Sequence, residues 1–301
     1  MTKCLNFHAR YRCRSSGACC STGWTIPFTD KEFQAVRALP LSPRVPFQTL
    51  PDGTRLAGVR KDGTCTFLED GTHLCEIHRL GGHASLPLTC RMFPRIVLHD
   101  PRGTFVSLSH FCPTAAAMLF EPGPVGIVDA PSTLTNGGPL DGLDARKVWP
   151  PLLRRGMLMD LESYDTWERL GVEVLTREGI SPRASLDALD AATTGIAGWS
   201  PGSTPLRHAV FDAFAGLAPA TSVLENHDPA VKRWLAARLF GSWIAYQGEG
   251  LATIVRYLRA CLDAFAIELA RDRDALQAIR RSDRLIIHDS SSQKLATLLN
   301  A

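Results

Sequence analysis

No C-x2-C pair occurs anywhere in the chain, although structural zinc sites are usually built from such knuckles. The C-x3-C-x2-C spacing and the common ferredoxin runs are missing too, so no standard single-metal template fits. No G-x-G-x-x-G follows a strand-like run, which leaves no Rossmann-type site to read. Lysine is scarce: six of the 33 basic residues are Lys. Net charge is only +3 and no block of like charge stands out. The loose Arg10, Arg12, Arg14 stripe reads as a solvated face, so no nucleic-acid partner is expected. No apolar run approaches the roughly eighteen residues of a membrane span, and no membrane partner is expected. The opening MTKCLNFHARYRC carries no apolar h-region, so no signal peptide is read and a cytoplasmic location is expected. In that compartment disulfides are rare, and a cysteine pattern more often means metal or catalysis.

Cysteine is what the chain does have, nine in all, and unevenly placed. Cys13, Cys19, Cys20, Cys65, Cys75, Cys90 and Cys112 fall within one stretch of a hundred residues, with Cys4 just outside and Cys261 far away. The segment CRSSGACCSTGW (13–24) sets Cys19 beside Cys20. A bridge between sequence neighbours is strained, because disulfide geometry wants the two Cα atoms well separated. In a polynuclear centre each sulfur can serve a different metal atom, so adjacent cysteines at a tight turn can both be ligands. Gly17 supplies the backbone freedom for such a turn. An iron–sulfur cluster meets this description, and so do two zinc ions sharing a bridging thiolate. The seven cysteines are therefore the candidate metal ligands. His78, in Cys75-x2-His78, is as well explained as a neighbour of the site as by ligation; His73, His83 and His110 are weaker candidates, and Trp24 reads as core beside the turn.

The rest of the sequence divides by pattern, and the fold class expected is α+β. Residues 1–121 read as a loop-rich cysteine domain with a small β-hairpin in RIVLHDPRGTFVSLSH (95–110) and a helix in FTDKEFQAVRAL (28–39). A Pro/Gly-rich linker or loop is expected over 122–145. Residues 146–301 read as a helical domain. Three helix starts share one design, a capping residue followed by Pro: Ser181-Pro182, Thr204-Pro205 and Asp228-Pro229. In the last, Val231, Trp234, Leu235 and Leu239 share a face. Over 251–270, Ile254, Val255, Leu258, Cys261, Leu262, Phe265 and Leu269 form one stripe, so Cys261 reads as core.

The run C13-x2-S16-G17-x-C19-C20, with C65-TFL-x6-C75-E-I-H78 and LPLTCRMFPR around Cys90, resembles the YkgJ-type cysteine-cluster family. That family opens C-x2-C-G-x-C-C and continues C-x-x-L, C-x-I-Y and C-R-x-F/Y-P. The CC-x-x-G-W run is closest to the flagellin lysine N-methylase (FliB-like) branch. The resemblance covers about residues 10–115, a third of the chain. It implies a zinc- or iron-chelating domain, with Cys13, Cys19, Cys20, Cys65, Cys75 and Cys90 as ligands and Cys112 as a further member. For the methylase branch it implies an iron–sulfur cluster, S-adenosylmethionine, and methyl transfer to lysine of a flagellin-like protein. Ser16 stands where the general family has a cysteine, and His78 where many members have Tyr.

Two functions compete: a protein-lysine methyltransferase-like enzyme, for which no catalytic residue is readable, and a non-catalytic zinc- or iron-binding module. A thiol redox role through Cys19 and Cys20 ranks behind both. A cluster that does chemistry needs an enclosed cavity, so under the enzyme reading residues beyond 146 should supply one of its walls.

Overall fold

A computed structural model describes residues 1–21, 23–41, 47–135, 140–218, 222–246 and 250–288. The α+β expectation holds: small sheets occupy the first half and helices the second. In chain order the first half runs β1 (Thr2–Leu5), β2 (Pro27–Phe28), α1 (Asp30–Arg37), β3 (Phe47–Thr49), β4 (Arg55–Ala57), α2 (Glu76–Gly81) and α3 (Leu88–Met92). Next come β5 (Arg95–Asp100), β6 (Gly103–Leu108), α4 (Pro113–Met118), β7 (Ile127–Asp129), α5 (Ser132–Thr135) and β8 (Leu143–Asp144).

The expected hairpin is β5–β6, paired antiparallel from Arg95 with Leu108 to Asp100 with Gly103. It is the heart of a sheet of order β7-β1-β6-β5-β8. Of the stretch read as linker or loop, 127–129 and 143–144 are strands of this sheet, while 136–139 lies outside the described residues.

Successive strand residues face opposite sides of a sheet, and here both sides are covered. Leu5, Leu98 and Phe105 join the core of the helical half. Cys4, Val97, Val106 and Leu108 join a second cluster with Tyr11, Cys112, Ala115 and Met118. The sheet thus separates the helices from the face that leads to Cys112. A third apolar cluster, with Ile26, Phe28, Phe33, Val36, Phe67 and Ile77, takes in Cys20 and Cys65. Its helix α1 opens with a capping box, in which Thr29 accepts from Glu32 N–H and the Glu32 carboxylate accepts from Thr29 N–H.

The second half contains α6 (Leu161–Thr176), α7 (Pro182–Ala197), α8 (Leu206–Ala215), α9 (Asp228–Leu239), α10 (Leu251–Asp272) and α11 (Ala275–Asp283), which ends in a single π-turn over Arg284–His288. Ser181 caps α7 as expected, with Pro182 at its first position. The other two starts shift by one residue. Pro205 is itself the cap residue of α8. Asp228 already belongs to α9, and its carboxylate accepts from Glu225 N–H. Trp167 and Trp234 are fully buried at the centre. Cys261 is fully buried on α10, in the stripe expected of it.

Two buried polar networks join the halves. Arg102, at the hairpin turn, meets Asp100 at 2.7 Å and Glu168 of α6 at 3.0 Å, and its guanidinium lies over Phe105 and Tyr164. Asp283 of α11 accepts from Ser109 Oγ (2.8 Å), His110 N–H (2.6 Å) and Trp234 Nε1–H (2.8 Å). Among the described residues, no helix is long and apolar enough to cross a membrane.

Candidate metal centre

The Cys19-Cys20 pair sits on a single 3-10 turn, Ala18–Cys20, entered through Gly17 at φ 70°. A Cβ there would lie 2.3 Å from the His73 carbonyl oxygen, so glycine is required both by conformation and by space. With three residues per turn, neighbouring side chains leave such a turn about 120° apart. Cys20 points into the apolar cluster and is buried, while Cys19 is half-buried at a cavity wall.

Backbone pairing delivers the next two cysteines to the same place. Cys65 N–H donates to the Cys20 carbonyl at 2.7 Å, and Cys65 also bridges Val59. Cys75 bridges Leu68 and is the cap residue of α2. Cys90 lies on α3, half-buried against the same apolar cluster.

Electrostatically, Cys20 is the hub. Its sulfur lies within hydrogen-bonding reach of Cys19, Cys65 and Cys75, and its single proton can be given to one of them at a time; these contacts first, and burial after them, drive its own thiol far above the ordinary value. Its three partners move the other way. Cys19 is lowered, chiefly by the bond from Cys20. Cys65 is lowered by Cys20 and then by the Phe67 N–H. Cys75 falls to about 7, through Cys20 first and then the N–H groups of His78 and Ile77 at the start of α2. Cys90 rises well above the usual range, first by burial and then by the negative charge that Cys19, Cys75 and Cys65 would carry. Five sulfurs thus share one pocket, three of them shifted toward thiolate and two, Cys20 and Cys90, shifted away from it. All nine cysteines are free thiols.

A cavity of about 30 Å³ adjoins this hub. Cys13, Cys19, Cys75, Cys90 and Cys112 line it, with Tyr11, His78 and His83. Cys13 is exposed, with its sulfur 3.4 Å from Ser15 N. Cys112 is buried on the far side, 3.8 Å from the Tyr11 hydroxyl, and burial raises its thiol. The seven candidates therefore occupy two adjoining places: Cys19, Cys20, Cys65, Cys75 and Cys90 around the hub, and Cys13 and Cys112 across the cavity. Among the described residues, no three His, Cys, Asp or Glu side chains converge on one point suited to a single ion.

The wall expected from the helical half is not there: among the described residues, none beyond 112 lines the cavity. The helices reach the layer behind that wall instead, at Phe93, which itself lines the cavity, and at Trp24 close to the Cys19-Cys20 turn. His288 packs on Trp24 at 4.8 Å and on Phe93 at 6.2 Å between ring centroids, and Arg280 Nε donates to the Phe111 carbonyl beside Cys112. Cys4 and Cys261 take no part, and burial pushes both thiols up to about 12. Sequence reasoning missed Tyr11 and undervalued His83; the usable signal was the Gly81-Gly82 pair, which folds His83 back toward His78.

Residues 12–113 match the family model CxxCxxCC, described as "Putative zinc- or iron-chelating domain". The match covers every cysteine around the hub and the cavity. No curated protein and no solved structure matches the chain.

Proposed function

We propose that the Cys20 hub and its adjoining cavity form a thiolate centre for zinc or iron, with Cys19, Cys20, Cys65, Cys75 and Cys90 as core donors and Cys13 and Cys112 as outer ones. The carrying observation is the gathering of Cys19, Cys20, Cys65, Cys75 and Cys90 in one packed cluster, with Cys20 within hydrogen-bonding reach of three of them and Cys19, Cys75 and Cys90 opening onto one cavity. A cation would take over the role of the shared protons and hold the sulfurs together, because metal ligation deprotonates thiols. A sulfur touching three others is the arrangement of one corner of a four-sulfur tetrahedron, with Cys19, Cys65 and Cys75 at the other corners. Among the described residues no three donors already converge on one point, so the sulfurs would close on the ion as it binds.

Size separates the candidate occupants. A water needs about 10–15 Å³ of such space, so a cavity of about 30 Å³ holds two or three water-sized bodies. One or two bare ions fit. One observation still favours an iron–sulfur cluster as the second reading: Cys19 and Cys20 leave one turn in different directions, as ligands to two irons would.

Methyl transfer and S-adenosylmethionine, implied by the resemblance to flagellin lysine methylases, gain no support. The cavity is too small for a lysine side chain beside a donor, and its described wall holds nothing from the helical half. The non-catalytic metal-binding module is the better reading. The test is to purify the protein anaerobically and assay zinc, iron and acid-labile sulfide. One or two zinc or iron ions per chain without sulfide support the proposal. Iron with matching sulfide supports the cluster instead. A metal-free protein that takes up neither metal refutes both.

A further inference from the structure

One side of the cavity wall is nitrogen rather than sulfur. Cys75 caps α2, and His78 follows three residues later on the same helical face. The chain then reverses at Gly81-Gly82. A Cβ on Gly81 would lie 2.4 Å from Ser85 Oγ, and Gly82 has φ 73°. The following turn, His83–Ser85, carries the second imidazole back against the first. The two rings stand 6.0 Å apart between centroids, at 71°. Both line the same cavity as Cys19, Cys75 and Cys90, and both are half-buried.

We infer that His78 and His83 supply nitrogen ligands to a divalent cation of borderline softness, zinc or ferrous iron, held beside the thiolates on the open side of the cavity. This rests on the metal-centre reading above and extends it by two nitrogen donors. Mixed imidazole and thiolate donors select zinc or iron over magnesium or calcium, which prefer oxygen. Cys75 ties the nitrogen position to the sulfur hub: it lines the cavity together with both rings and lies three residues before His78 at the start of the same helix. The rings do not yet converge with a third donor on one point. Half-buried imidazoles can swing about their side-chain torsions to close on an ion without backbone movement. Exposed Cys13 and the Arg14–Ser16 stretch form the mouth through which the ion would pass.

Zinc X-ray absorption on the reduced, zinc-loaded full chain tests this. The expected spectrum combines sulfur at about 2.3 Å with nitrogen at about 2.0–2.1 Å and the outer-shell scattering that marks imidazole. His78→Asn and His83→Asn should each remove part of the imidazole signal and weaken zinc, in competition with a chelator, by about tenfold or more. Because the wild-type spectrum is informative alone, a variant that fails to fold does not leave the question open. An all-sulfur shell in the wild type overturns the inference while leaving the thiolate centre standing. Imidazole scattering that survives in the double variant overturns it too. A chain that binds no zinc or iron at all overturns the metal reading itself.

Discussion

Replacing Cys20 with alanine should destabilise the metal-loaded protein far more than the metal-free one. In the metal-free protein the substitution removes one buried sulfur and its contacts with Cys19, Cys65 and Cys75. A small cavity and the loss of weak thiol bonds cost about 1–2 kcal/mol. In the loaded protein a second loss is added. With free metal at a thousand times Kd, binding stabilises the fold by about 4.1 kcal/mol. If losing the hub sulfur weakens affinity about a hundredfold, metal at the same concentration stands at ten times Kd and contributes about 1.4 kcal/mol. The difference, about 2.7 kcal/mol, adds to the packing cost and brings the total to about 4–5 kcal/mol. Urea unfolding with zinc and with chelator measures both numbers. Cys261→Ala is the control: buried on α10 away from the cavity, it should cost about 1 kcal/mol equally in both states. Equal losses in both states for Cys20→Ala would show that the hub holds no metal.

Three further outcomes follow from the geometry. Gly17→Ala forces a Cβ onto the His73 carbonyl at a positive φ, so it should cost about 1–3 kcal/mol and lower metal uptake as the 18–20 turn distorts; unchanged melting and metal content would mean that this turn does not set the site. Arg102→Ala leaves Asp100 and Glu168 buried without their partner, and a loss of about 3–5 kcal/mol is expected in urea unfolding, with metal per folded chain unchanged; a loss under 1 kcal/mol contradicts the buried network. His288 is held down to about 4, first by burial and then by the positive charges of Arg238 and Arg284, with Asp283 opposing. It is neutral in the fold and titrates at about 6.5 when unfolded. The unfolded chain therefore binds the extra proton as pH falls, and stability present in full above about 6.5 is lost between 6.5 and 4, by up to about 3 kcal/mol. In chelated protein, His288→Gln should flatten that slope; an unchanged slope assigns it to other groups.

The readable features were local. The hairpin at 95–110 announced itself by alternation around Pro-Arg-Gly, and the helix after Thr29 by its capping pattern. Gly17 was legible because adjacent cysteines demand a turn. The helix starts at Thr204 and Asp228 were legible to within a residue: Pro205 sits outside α8 as its cap, and Asp228 lies inside α9 with its carboxylate on Glu225. What the sequence hid was long-range. Ser109 and Asp283 are 174 positions apart, and no pattern connects them. Which face of the sheet packs on the helices and which on the cluster around Cys112 was hidden as well, because that depends on pairing and not on composition. His83 gained weight only once the Gly81-Gly82 reversal brought it onto His78.

The most direct test of the central claim is an anaerobic titration of the reduced, metal-free chain with cobalt(II), which reports thiolate ligation by a near-ultraviolet sulfur-to-metal charge-transfer band. The account predicts a band that saturates at one or two cobalt ions per chain, releases protons as the thiols ionise, and is diminished by Cys20→Ala, Cys65→Ala and Cys75→Ala but not by Cys261→Ala. A titration that produces no such band, or one that those three substitutions leave unchanged, contradicts it.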